Sequence, residues 1–252
     1  MPDSKLDIII PVYNEGENIS AVLDALVREV RTPFRVSICY DFEEDDTLDA
    51  LKRYPREKID IVEVKNHGNG VHDAVMSGFQ ASDAPAVLVL PADDDYNASR
   101  IDHMVSLLLE GCDIVSASRF LPEGKMVGCP WLKSILVRTA SFVLFHFARL
   151  PCHDATNGFR LFSRRVVDVI EVESSAGFTY SIELLVKSHR MGWRIEEVPS
   201  CWYERRQDQG QSRFRLLQWL PDYLHWFFYV FATTWLCRGP ETVLLKTQVG
   251  SR

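Results

Sequence analysis

The stretch Ala86-Val87-Leu88-Val89-Leu90-Pro91-Ala92-Asp93-Asp94-Asp95 decides the fold of this chain. An apolar run of strand length ends, two residues on, in three consecutive carboxylates. In an open α/β sheet ligands bind at the carboxyl ends of the strands, and hard oxygen donors there suit a divalent cation carrying phosphates. The same residues also read as a solvated loop that caps the next helix, with Asn97 or Ser99 as N-cap before Ile101. The triplet alone leaves both readings open; the residues upstream separate them.

Upstream, apolar runs alternate with amphipathic patterns. The periodicity predicts strands over residues 6–12, 34–40, 59–64, 86–90 and 113–117, with helices over 18–30, 47–54, 69–81 and 99–110. Five strands separated by helices imply right-handed crossovers and a mostly parallel sheet covered by helices on both faces. After Phe120 the rhythm stops: Pro122, Gly124, Gly128 and Pro130 mark a loop, and the second half is expected to elaborate the same sheet.

Bulk properties narrow the function classes. A chain of 252 residues is within reach of one large α/β domain, and 46% apolar with 25% charged residues is ordinary for a soluble protein. The formal charge of -7 offers no basic footprint for nucleic acid and argues against nonspecific attraction to anionic lipid. The six cysteines form no C-x-x-C pair and residues 1–5 show no signal-peptide pattern, which predicts reduced thiols in a cytoplasmic protein. Cys152, His153 and Asp154 adjoin one another, but no second ligand pair is spaced for zinc.

Three polar clusters end the first three strands, the one edge where they can converge. Strand one closes in Pro11-Val12-Tyr13-Asn14-Glu15-Gly16, and strand two in Asp41-Phe42-Glu43-Glu44-Asp45-Asp46. Tyr13 is placed to stack on a base, and Asp41 or Glu43 to accept from base N–H groups or ribose hydroxyls. The alternative is a turn at Tyr13 and Asn14 and a solvated acidic run in which Asp46 caps a helix. After strand three, Gly68 and Gly70 open a helix whose N-terminus favours a diphosphate, or else supply positive φ in a tight turn.

These motifs, in this order, resemble the inverting family-2 glycosyltransferases of the GT-A fold, and within them the dolichol-phosphate mannose or glucose synthase-like group. Pro11-Val12-Tyr13-Asn14-Glu15 is similar to the opening nucleotide motif, and Gly68-x-Gly70-x-x-x-Ala74 to the glycine loop. Asp93-x-Asp95 falls at the metal-binding D-x-D, and Ser118-Arg119-Phe120 resembles G-S-R-[FY]. Downstream, Asp154 to Arg160 matches D-x-x-x-G-F-R, Gly177 to Leu185 matches G-F-x-[FY]-x-x-E-L-L, and Glu197-Val198-Pro199 is followed by Arg205, Arg206 and Gly210-x-Ser212-x-Phe214. Pro91 departs from the pattern, standing where the group usually has a first aspartate.

The resemblance implies a glycosyltransferase domain over residues 1–215, split into a nucleotide-sugar half (1–118) and an acceptor half (119–215), with an aromatic amphipathic helix and tail at 216–252. It implies transfer of a hexose from a donor such as GDP-mannose or UDP-glucose to a polyprenyl or dolichyl phosphate. Pro11, Tyr13, Asn14, Glu15, Asp41, Glu43, Gly68, Gly70 and Asp93 are expected to bind the nucleotide sugar, and Asp93 and Asp95 to hold Mg2+ or Mn2+. Arg119, Arg160, Arg205, Arg206 and Ser212 are expected at the acceptor phosphate, and Asp95, Asp154 and Arg119 at the chemistry. A hydroxyl acceptor would need a base, for which Asp154 and Glu183 are the candidates; Glu183 also pairs naturally with Lys187 at i+4. A weakly active nucleotide-sugar-binding subunit is the remaining alternative, motivated by Pro91.

Two apolar stretches, residues 131–150 and 216–237, are rich in Trp, Phe and Leu. Gln218, Pro221, Asp222 and His225 interrupt the second, which predicts interfacial contact with the cytoplasmic face of a membrane and not a span. Packing into the core or a homodimer interface is the alternative for both.

Overall fold

Alternation within β1 (Leu6–Pro11) locates the two halves of the core: Leu6, Ile8 and Ile10 are fully buried toward one face of the sheet and Ile9 toward the other. A strand covered on both faces lies inside a sheet, as a crossover architecture requires. The computed structural model describes residues 5–204 and 216–247, with backbone alone for 216–220. From β1 the chain runs through α1 (Ile19–Glu29), β2 (Phe34–Tyr40), α2 (Asp46–Arg53), β3 (Asp60–Lys65), α3 (Gly70–Ala81), β4 (Ala86–Val89), α4 (Ile101–Leu109) and β5 (Ile114–Ser118), within two residues of the expected bounds. The second half adds β6 (Lys125–Val127), α5 (Trp131–His146), β7 (Arg160–Ser163), α6 (Arg164–Val169), α7 (Thr179–Arg190), β8 (Ile195–Pro199), β9 (Cys201–Tyr203) and α8 (Leu216–Trp235).

Seven strands form the main sheet in the order β3-β2-β1-β4-β7-β5-β8. All neighbouring pairs are parallel except those of β7, which runs antiparallel between β4 and β5. Helices α1, α2 and α4 bury Leu23, Leu51 and Met104 on one face. On the other, α3 and α7 bury Val75, Phe79, Leu184 and Leu185, and α8 adds Trp226 and Val230. The expected mostly parallel sheet with helices on both faces is therefore present.

The second half departs from expectation in three places. β7 has four residues and starts on a buried arginine, so it lacks the apolar run that marks a buried strand. The stretch read as a loop after Phe120 contains β6, which pairs with β9 in a separate two-stranded ribbon. The apolar helix ends at His146 and not at Leu150, because the amides of Ala148 and Leu150 turn back onto Val143 and Leu144 and Pro151 cannot continue a helix.

Helix α5 is unusual for its apolar content. Only Ser141 and Leu144 are buried along it, while Trp131, Leu132, Ile135, Leu136 and Phe142 are exposed, Trp131 by 73%. Helix α8 divides its apolar residues, burying Trp226 and Val230 against the core and exposing Leu224, Phe228 and Trp235. Beneath it lies the expected Glu183–Lys187 pair, 2.6 Å apart with both side chains fully buried, and the Lys187 ammonium sits 5.1 Å from the Trp226 ring. Among the described residues no helix is long and apolar enough to cross a membrane.

Candidate active site

The turn after β1 is clamped onto the start of α2. Asn14 takes a left-handed φ of 53°, and the amides of Asn14, Glu15 and Gly16 donate to Asp45 Oδ2, Thr47 Oγ1 and Asp46 Oδ1 at 3.1, 2.9 and 2.8 Å. Asp45, buried, also caps α2 by accepting from the Thr47 amide at 2.9 Å. The helix cap is thus Asp45, where the sequence suggested Asp46, and Asp46 instead ties down Gly16. Glu15 is buried and accepts from Asn18 Nδ2 at 2.7 Å, a turn-fixing role. Tyr13 stays 41% exposed, with its ring edge-on to Phe42 at 5.1 Å, so the ends of β1 and β2 present an aromatic surface together.

The glycine loop is closed by carboxylates of the chain itself. Asp41 accepts from Asn66 Nδ2 at 2.6 Å and from the Gly70 amide at 2.9 Å, the Asn69 amide donates to Asp73 at 3.0 Å, and the Gly68 amide donates to Asn66 Oδ1 at 2.9 Å. Gly70 has φ +81°, and a Cβ on Gly68 would fall 2.1 Å from Asp73, so each glycine answers a steric need of the turn. These amides already have anionic or amide acceptors. Asp41 thus fastens the loop that leads into α3, whose N-cap residue Asn69 makes no side-chain cap hydrogen bond. Glu43 is exposed and paired with Lys65 at 2.6 Å.

In the aspartate triplet the capping falls to Asp94, and not to the expected Asn97 or Ser99: Asn97 precedes the short turn Ala98–Arg100 without a side-chain cap bond to it, and Ser99 lies inside that turn. Asp94 is buried and accepts from the Asn97 amide at 3.0 Å and from Asn97 Nδ2 at 2.8 Å, which makes it the cap of the turn leading into α4. Burial pushes its carboxyl up to about 7, against the pull of the Asn97 hydrogen bonds. Asp93 is half-buried and Asp95 exposed, flanking that cap at the end of β4. A small cleft brings Asp93 and Asp94 together with Asn97, Asn157, Cys201 and Trp202, joining the end of β4 to the second half.

Across the same edge, Arg119 follows β5 and locks onto Asp154. Its Nε and Nη2 donate to Oδ2 and Oδ1 at 2.6 and 2.8 Å, its amide to Oδ2 at 3.0 Å, and Nη2 also to Thr156 Oγ1 at 2.9 Å. Nη1 has no acceptor among the described residues. Burial alone would raise the Asp154 pKa, but the Arg119 charge and hydrogen bonds outweigh it and hold the carboxyl below its ordinary range. Asp154, fully buried with both oxygens engaged, is therefore a holder of Arg119 and not a free base. Glu197 of β8 supports this loop in turn, accepting from the His153 and Asp154 amides at 2.9 and 3.2 Å.

Arg160 corrects another expectation. It is fully buried at the start of β7, donating to Ser116 Oγ at 3.0 Å and to the Ser181 carbonyl, so it bonds the sheet to α7 and meets no acceptor phosphate. Arg205, Arg206 and Ser212 lie outside the described residues. Glu183, within its buried pair, is equally remote from a base role. Sequence reasoning missed Arg138 of α5, whose guanidinium lies 5.1 Å from the Phe120 ring while Arg119 lies 5.5 Å from it. Arg138 stood in the sequence only as a basic interruption of an apolar helix, and that interruption was the available signal.

No group of three or more His, Cys, Asp or Glu side chains converges into a metal cage among the described residues. Two carboxylates on one turn fit a hard cation that takes its other ligands from phosphate and water, the usual manner of Mg2+ and Mn2+ at nucleotides. Asp93 and Asp95 are the residues able to hold it.

Comparison with known proteins agrees with this architecture. The profile described as "Glycosyl transferase family 2" matches residues 7–170, more than half of the chain. Polyprenol monophosphomannose synthase of Mycolicibacterium smegmatis is 25% identical over 234 residues, covering 86% of this chain and 88% of its own. Dolichyl-phosphate hexose transferase of Haloferax volcanii is 28% identical over 204 residues, covering 79% and 83%. In fold, the chain is similar to glucosyl-3-phosphoglycerate synthase of Mycobacterium tuberculosis, solved with Mn2+, uridine diphosphate and phosphoglyceric acid, at a TM-score of 0.63 and 18% identity over 91% of this chain and 78% of that one. With its sheet edge, acidic turn and matched profile, the chain belongs to glycosyl transferase family 2.

Proposed function

We propose that the chain moves a hexose, with inversion, from a nucleotide diphosphate sugar to a polyprenyl phosphate at the cytoplasmic face of a membrane. One observation carries the acceptor side of this reading: Phe120 is shared between Arg119, fixed at the end of β5, and Arg138 of the exposed apolar helix α5. Two guanidinium groups suited to a phosphate and an exposed apolar helix are thus adjacent, which supports an acceptor with a phosphate head and an apolar tail. The names of the polyprenol and dolichyl-phosphate relatives support the same acceptor class.

Each side of the reaction has residues suited to it. Tyr13, beside Phe42, offers a ring face to the base, while the closed turns at Asp41 and Asp45 keep that surface rigid. Asp93 and Asp95 would hold a Mg2+ or Mn2+ ion, which would supply Lewis-acid stabilisation of the charge that develops on the leaving nucleotide. Arg119 is pre-aimed by Asp154, so its remaining donor meets an acceptor phosphate without loss of side-chain freedom on binding. A phosphate monoester has a second pKa of about 6 and is largely dianionic near neutral pH, so it attacks without a strong base. A hydroxyl acceptor lacks its two base candidates, since Asp154 is locked to Arg119 and Glu183 to Lys187.

Docking through α5 and the exposed face of α8 would place those apolar side chains at the headgroup boundary. The test is a donor panel: labelled GDP-mannose, UDP-glucose and UDP-N-acetylglucosamine, each with Mn2+ and polyprenyl phosphate, followed by extraction. Label in the organic phase with one donor is expected. Label only on a sugar alcohol or glycan acceptor would remove the lipid reading.

A further inference from the structure

Among the described residues, strand β9 pairs with β6 along one edge, and no strand lies on its other edge. Backbone groups of alternate strand residues face the same edge, so Cys201 and Tyr203 present their N–H and C=O groups together. Side chains of the acidic turn fill that edge. The Cys201 amide donates to Asn97 Oδ1 at 2.9 Å and Asn97 Nδ2 returns a hydrogen bond to the Cys201 carbonyl at 2.8 Å. Two residues on, the Tyr203 amide donates to the Tyr96 hydroxyl at 3.4 Å, and the two tyrosine rings meet edge to face at 4.8 Å.

Asn97 is 3% exposed, and its Nδ2 also donates to Asp94 Oδ2 at 2.8 Å. Its amide therefore does the work of a peptide group in a ladder, and simultaneously holds the carboxylate between Asp93 and Asp95. Only a side chain with a donor and an acceptor on one plane meets all of these partners. Aspartate has no donor for the Cys201 carbonyl, and alanine would remove the partner of the Cys201 N–H and C=O and the side-chain donor to Asp94 Oδ2. Beyond β9 the connection reaches α5, where the Lys133 ammonium lies 4.6 Å from the Trp202 ring.

We propose that Asn97 is a positioning residue that docks the acidic turn on the open edge of β9, fixing the direction in which Asp93 and Asp95 present their carboxylates. The donor-side acids and the ribbon of the second half then move as one body. The inference rests on the reading of Asp93 and Asp95 as metal–diphosphate ligands.

The test titrates the full chain with Mn2+ in the presence of UDP or GDP by calorimetry, without turnover, alongside donor KM and melting temperature. Asn97→Ala is expected to weaken Mn2+ binding roughly tenfold, the scale of effect of groups that orient metal ligands from behind, with donor KM rising in step. Tyr96→Phe removes only the hydroxyl at Tyr203 and is expected to weaken it about threefold, which covers the case of an Asn97→Ala chain that does not fold. Asp95→Asn is the control. A Mn2+ constant unchanged in Asp95→Asn removes the metal reading and this inference with it. A constant raised in Asp95→Asn but unchanged in Asn97→Ala and Tyr96→Phe, whatever their melting temperatures, overturns the positioning role alone.

Discussion

Arg119 and Asp154 form a two-point clamp, with guanidinium Nε and Nη2 set 2.6 and 2.8 Å from the two carboxylate oxygens. The geometry uses the fork of arginine and not merely its charge. Lysine keeps the charge but makes one contact where arginine makes two. Arg119→Lys is accordingly expected to raise the KM for polyprenyl phosphate by about tenfold while leaving the donor KM within about twofold. Steady-state kinetics with each substrate varied in turn measures this. Equal rises in both constants would contradict the acceptor role.

The same clamp gives a pH dependence with a defined sign. Arg119 holds the Asp154 carboxyl below the ordinary carboxylate value, so the pair contributes stability that is present above the unfolded pKa and is lost as pH falls through the lower folded one. Asp154→Asn leaves Arg119 charged and unpaired in a buried site, which should cost about 3–5 kcal/mol near pH 7. Urea unfolding of both chains from pH 7 down to the acid range should show that gap narrowing only below about pH 4. A gap independent of pH would mean that the ionised pair is not its source.

Asp95 and Asp94 are adjacent but differ in what they answer to. Asp95 is exposed, so Asp95→Asn should leave the melting temperature within about 1–2 °C while cutting Mn2+-dependent turnover by about a hundredfold. Asp94 is buried on Asn97, so substituting it by alanine should lower stability by about 1–3 kcal/mol through the amide left unpaired. Thermal melts and turnover measured on both variants separate the two outcomes. Turnover unchanged in Asp95→Asn would return the triplet to a capping loop.

The apolar residues of α5 offer a third separation. Replacing Trp131, Ile135 and Phe142 by serine removes exposed surface, so the fold should be undisturbed, while partition onto vesicles of neutral lipid should weaken by about 1 kcal/mol or more per residue. Vesicle flotation and a melting curve on the same sample measure both. Undiminished flotation would move membrane contact away from this helix.

Much of this was legible in the sequence, and unevenly so. Ile8, Ile9 and Ile10 and the runs in β2 and β4 announced a doubly covered sheet because burial on both faces favours near-continuous apolar runs over strict alternation. β7 stayed hidden because a buried strand can open on an arginine when Ser116 and the Ser181 carbonyl satisfy it, a compensation made by residues far apart in the chain. For the same reason Arg160 read as a phosphate ligand: motif position shows the residue type but not which way it faces. The Asp94–Asn97 contact was within local reach, three residues apart, whereas its completion at Cys201 depends on a separation of 104 residues.

Helix α5 anchors itself in the core through Leu144, with Ser141 its only other buried residue. Elements with so few buried contacts open at a small fraction of the global unfolding free energy, so amide exchange along α5 should be far faster than in β1, whose residues are buried on both faces. A segment that detaches cheaply leaves the strands and their register untouched. The chain can therefore trade the water over α5 for an apolar environment, reversibly, without remodelling the sheet on which Asp93 and Arg119 stand.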